Sequence, residues 1–142
     1  MPPADPKSPS LPVGARALFR LGFWIPLVVC TYFALATELP DNPVFRLSDI
    51  VQHTVAFTYL SVALVLLLFD GVATDPRPYL LAGLWMMGYG VLIELLQAFI
   101  PERDAELKDL FVDGVGITLG LVVARFLVPR LHGWVRRWSV GA

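Results

Sequence analysis

Residues 79–100 read YLLAGLWMMGYGVLIELLQAFI, a run in which Glu94 is the one charged side chain. A bilayer core of roughly 30 Å is crossed by about 20 apolar residues in a helix, and this stretch has that length. Three more runs share its character. Residues 18–37 (LFRLGFWIPLVVCTYFALAT) carry only Arg20, near their start. Residues 50–69 hold Gln52 and His53 in their first turn and are then apolar or hydroxylic. Residues 110–128 hold Asp113 in their first turn and Arg125 near their end. Composition agrees: 56% of the 142 residues are hydrophobic and 16% charged, against about 45–50% and about 25% in a soluble domain. Mean hydropathy is +0.66. A disordered chain is excluded, and the composition speaks against an ordinary water-soluble globule.

Backbone polar groups find no water inside a bilayer, so runs that are apolar on all sides are expected to be helices rather than alternating barrel strands. Pro26 lies inside the first span, where it should kink the helix. Pro40, Pro43, Pro76, Pro78 and Pro101 fall in the connections. Gly116 and Gly120 form a G-x-x-x-G, and Gly83, Gly88 and Gly90 sit on the third span; small residues at such spacing let helix backbones approach closely. The expected fold is all-α, an integral membrane four-helix bundle with short loops and an interfacial C-terminal helix. Residues 1–17 read as a disordered tail, with five prolines in the first twelve positions, 18–129 as the four-span domain, and 130–142 as a basic and aromatic interfacial tail.

Positive charge sets the orientation. With the N-terminus inside, that face holds Lys7, Arg16, Arg20, Arg77, Arg125, Arg130, Arg136 and Arg137, whereas the other holds Arg46, Arg103 and Lys108. Both termini are therefore expected in the cytoplasm. Trp134 and Trp138, four residues apart beside Arg136 and Arg137, suit a short helix at the membrane surface. A competing reading makes Ala34-Leu35-Ala36 the end of a secretory signal, but the apolar run is long for one.

Spans and orientation together place the polar residues. Asp49, Gln52 and His53 fall at the outer start of span two, Glu94 and Gln97 near the outer end of span three, and Asp109 and Asp113 at the outer start of span four, with Arg103 in the loop between. At 1.5 Å per residue Glu94 lies about 10 Å below Pro101. Asp49 and His53 are four residues apart, as are Asp109 and Asp113, and Glu94 and Gln97 are three apart, so each pair shares a helix face. Charge buried in hydrocarbon is expensive. The three polar faces are therefore expected to meet inside the bundle.

Plainer readings stand beside this one. Gln52 and His53 suit a cap at the interface, Asp109 an N-cap, and Asp113 a first-turn acid favoured by the helix dipole. Glu94 suits a structural pairing with His53 or Arg103. Tyr59, Tyr89 and the phenylalanines read as packing or lipid contact, the 102–108 charges as a solvated loop, and Cys30 as inert.

In these residues the chain resembles the VanZ-like family of small bacterial membrane proteins. That family opens one helix with Asp-Lys-x-x-His, closes the next with Glu-x-x-Gln, turns through a Pro-Gly-Arg-like sequence, and follows with an Asp and an Asn-x-x-Gly. The matching residues here are Asp49-Ile50-Val51-Gln52-His53, Glu94-Leu95-Leu96-Gln97, Pro101-Glu102-Arg103, Asp109, and Asp113-Gly114-Val115-Gly116 followed by Gly120. The likeness covers about residues 48–120. It departs at Ile50, where the family has lysine, and at Asp113, where it has asparagine, so this cluster is the more acidic. The resemblance implies a multi-pass protein of the bacterial inner membrane and a link to glycopeptide (teicoplanin) resistance.

Three functions are compatible with this pattern. The first is a site that binds or modifies an envelope lipid or glycolipid at the outer face, with His53 as acid or base, Glu94 orienting it, and Arg103 and Gln97 binding the ligand. Asp49, Asp109 and Asp113 complete that candidate cluster. The second is an accessory subunit whose polar cluster serves assembly with a membrane-protein partner. The third is a metal site of His53, Glu94, Asp109 and Asp113, a reading without the paired histidines or cysteines that such sites usually show. No cofactor is expected, since no phosphate-binding loop or dinucleotide fingerprint occurs. A net charge of −1 with no basic patch speaks against nucleic acid. Proton or ion transport lacks a polar relay through the inner halves of the spans.

Overall fold

The computed structural model describes residues 13–37, 49–68, 75–101 and 106–140. Within them the chain forms four helices: α1 (Val13–Leu35), α2 (Asp49–Leu68), α3 (Arg77–Gln97) and α4 (Leu107–Val140). Each is long and apolar enough to cross a membrane. The described fold is all-α, a four-helix bundle, and the chain is a multi-pass membrane protein.

Helix boundaries follow local chemistry. Asp75 Oδ1 accepts the Arg77 N–H at 2.9 Å at the start of α3, satisfying one of the donors that a helix N-terminus leaves free. Pro76 and Pro78 flank that start, where a missing N–H costs little. α1 runs unbroken through Pro26. It begins at Val13, so residues 13–17, expected in the tail, are helical. α4 likewise continues through Pro129, and residues 130–140 prolong the same helix beyond the membrane-spanning stretch, which ends at Leu131. The expected tail over residues 1–12 lies outside the described residues.

Three polar contacts fix the up-and-down arrangement. The Gln97 amide at the end of α3 donates to the Ala34 carbonyl at the end of α1 at 2.9 Å. His53 near the start of α2 meets Asp113 near the start of α4. Glu94 near the end of α3 accepts the Glu106 N–H just before α4. So α1 runs parallel to α3, and α2 parallel to α4.

The closest pair is α2 with α4, and glycine is the reason. A β-carbon on Gly116 would lie 2.8 Å from the Thr54 carbonyl oxygen, and one on Gly120 would lie 2.6 Å from that of Thr58. The G-x-x-x-G is thus the surface on which α2 seats its backbone. The Thr58 hydroxyl donates to the Gly116 carbonyl across the same seam at 3.1 Å. Below it Leu60, Val65, Ala82, Met86, Ile117, Ala124 and Val128 form the dry core. Peripheral α1 buries only Phe23. Hydroxyl bonds attach it, from Tyr59 to the Gly22 carbonyl at 2.8 Å and between Thr31 and Tyr89 at 3.0 Å. Trp24, Val28, Tyr32, Leu84, Trp85, Phe111 and Phe126 point outward, an apolar exterior that suits lipid and not water.

Candidate functional site

The site lies where α2, α3 and α4 meet at one end of the bundle. His53 stands in the second turn of α2, and its Nδ1 is 2.8 Å from Asp113 Oδ1. Asp113 is 1% exposed, one of the most deeply enclosed side chains in the described chain. The imidazole keeps 21% of its side-chain surface open. A buried carboxylate has to be met by a donor, and this one is met by the ring N–H.

Gly90 makes room for the acid. A β-carbon there would fall 2.7 Å from Asp113 Oδ2 and 3.4 Å from the Phe57 ring. Phe57, one turn further along α2, lies beneath the imidazole with the ring planes 16° apart and the centroids 6.3 Å apart. Tyr89 closes on Phe57 at 5.7 Å. The polar pair therefore rests on an aromatic floor that shields its inner side.

Two further acids gather around it. Glu94 Oε2 accepts the Glu106 N–H at 3.0 Å, while the buried Glu94 Oε1 has no hydrogen-bond partner among the described residues. Asp109 Oδ1 is in the same condition. Both carboxylates lie within electrostatic reach of His53 and of each other. Asp49 is exposed at the rim, within electrostatic reach of Asp109. Lys108 pairs with Glu106 at 2.5 Å beside them.

The structure thus brings His53, Glu94, Asp109 and Asp113 to one place, with Asp49 at its edge. The hydrogen-bond partner of His53 is Asp113, while Glu94, expected to orient the imidazole, accepts from the backbone that leads into α4. Gln97, expected at the ligand, is 7% exposed and its amide donates to the Ala34 carbonyl of α1. Arg103 lies outside the described residues. Gly90 and Phe57 were missed by sequence reasoning; the available signal was a glycine one helical turn before Glu94, on the same face. Among the described residues no group of three His, Cys, Asp or Glu side chains is placed to hold a metal ion.

What the arrangement can do follows from the partners. A carboxylate that is ionised only accepts hydrogen bonds, and opposite such a group a neutral His53 would carry its proton on Nδ1 and its lone pair on Nε2. No described residue bonds that nitrogen. A histidine so oriented is equipped to take a proton from a hydroxyl, amine or water and to return it, while the buried acid stabilises the imidazolium formed in between.

Comparison of the chain with protein-family models, with curated proteins and with solved structures finds no match.

Proposed function

We propose that this chain binds and processes the polar headgroup of an envelope lipid or glycolipid, with His53 as the proton acceptor and Asp113 as the residue that orients it. The observation that carries this reading is the 2.8 Å His53–Asp113 contact, built from an enclosed acid and a partly open imidazole toward one end of the bundle. Among the described residues the second ring nitrogen of His53 has no hydrogen-bond partner, which suits it to meet a ligand. The resemblance to the VanZ-like family points the same way and links the activity to glycopeptide susceptibility. The excess of Lys and Arg on the side of the termini supports a site at the outer face of the bacterial inner membrane with both termini inside. Arg103 is the proposed contact for a phosphate or carboxylate on the headgroup.

The test uses the full chain in its own membrane and, purified, in bilayers of phosphatidylethanolamine and phosphatidylglycerol. His53→Gln and Asp113→Asn should each abolish headgroup binding or turnover and alter teicoplanin susceptibility while leaving insertion intact. Wild-type behaviour of both variants in both assays would remove the reading. Labelling of cysteines introduced at residues 99 and 134 checks the orientation, with residue 99 reactive from outside.

A further inference from the structure

On the outward side of α4, next to α3, the surface is indented by a groove of about 630 Å³ that begins at Leu107 and ends at Leu119. Met87 of α3 forms one wall, and Gly114 thins the floor. A β-carbon at Gly114 would come no closer than 3.5 Å to the Met87 methyl, so the indentation reflects a missing side chain and not a tight helix contact. The lining is apolar except for Thr118, whose hydroxyl is already satisfied by the Gly114 carbonyl at 2.8 Å. No polar ligand is invited there.

Length identifies the occupant. Twelve residue steps along a helix are about 18 Å, close to half of a bilayer core of roughly 30 Å. A groove that starts at the membrane surface and stops near the midplane matches one hydrocarbon chain of one leaflet. A crossing helix from a partner would need a contact surface along the whole thickness. The groove begins at the first turn of α4, the same turn that carries Asp109 on another face of the helix.

We propose that this groove seats one acyl or isoprenoid chain of a membrane lipid and so presents that lipid's headgroup to the first turn of α4. The proposal deepens the function proposed above and rests on it for the identity of the headgroup, but not for the occupancy of the groove. One face of α4 then holds the tail while the opposite face carries the acid that orients His53.

The experiment places the full-length protein in phosphatidylethanolamine and phosphatidylglycerol bilayers that contain phosphatidylethanolamine with a photoactivatable acyl chain, and maps the adducts by mass spectrometry. Labelling at Met87 and Val115 should exceed that at Leu84 and Trp85, which are more exposed, by roughly threefold, the ratio of a modest packing preference in lipid. Filling the groove with Gly114→Leu should bring the two sets to parity. Thr118→Phe fills it from an exposed position and serves if the first variant fails to fold. His53→Gln should leave the pattern unchanged. Equal labelling of groove and open surface in the wild type, or a pattern indifferent to both filling variants, overturns the proposal, as does a protein adduct in place of lipid at Met87. Enriched groove labelling with a His53→Gln protein that handles headgroups normally would instead retain the groove and defeat the proton-transfer reading.

Discussion

Gly90 and Asp113 are matched across α3 and α4: the position that a β-carbon would take on the first lies 2.7 Å from a carboxylate oxygen of the second. The acid that holds His53 is therefore itself held by an absence. Replacing Gly90 by alanine puts a methyl group where Oδ2 lies and displaces the carboxylate from the imidazole. The expected cost is about 1–3 kcal/mol, as for overpacking a filled core, with loss of the Nδ1-protonated tautomer in histidine ¹⁵N spectra. Gly88→Ala is the control, since nothing lies within 4 Å of its β-carbon; it should be neutral or stabilising. Equal behaviour of the two variants would contradict the matching.

The His53–Asp113 contact should appear as an energetic coupling. A double-mutant cycle with His53→Ala and Asp113→Ala, measured by unfolding in bicelles, is expected to return about 1.5–3 kcal/mol, the range for hydrogen bonds to charged groups. A coupling near zero would show that the two side chains are neighbours without being partners.

At the α2–α4 seam the obstructing atoms are backbone carbonyls, which cannot rotate away. Gly120→Ala and Gly116→Ala should each separate the helices and lower stability by roughly 1–3 kcal/mol. Gly133, with nothing within 4 Å, should tolerate alanine. Thermal unfolding in detergent compares the three.

Gln97→Leu removes the amide that reaches Ala34. Polar contacts between helices in lipid are worth on the order of 0.6 kcal/mol and at most about 2, so the bundle should survive. The change should be local: amide exchange at Ala34 and Leu35 should quicken while α2 and α4 keep their protection. Unchanged exchange at the end of α1 would show that Gln97 is not its anchor.

The extent to which this molecule is legible in its sequence follows from what lipid does and does not distinguish. Span number and helicity were readable, because hydrocarbon admits no unbonded backbone and the four runs are apolar throughout. The gathering of Asp49, His53, Glu94, Asp109 and Asp113 at one end was readable as well, because depth follows from counting residues. Lateral partners were not. In a soluble helix the apolar stripe reveals which side faces inward, but beside lipid both sides are apolar, so the rotation of α3 and α4 leaves no trace in the pattern. That rotation decides whether Glu94 or Asp113 reaches His53, and whether Gln97 turns to the cluster or to α1. Tyr59 and Tyr89 show the same blindness. Their rings read as packing, yet their hydroxyls tie α1 to the bundle.

The pairing of α2 with α4 skips the helix made between them. During synthesis His53 enters the bilayer before its acid exists, and it stays uncompensated until the ribosome has delivered the fourth span. A chain that stops after α3 lacks the acid that meets this imidazole in the finished bundle. The contact between His53 and Asp113 can therefore close only after all four helices have been made.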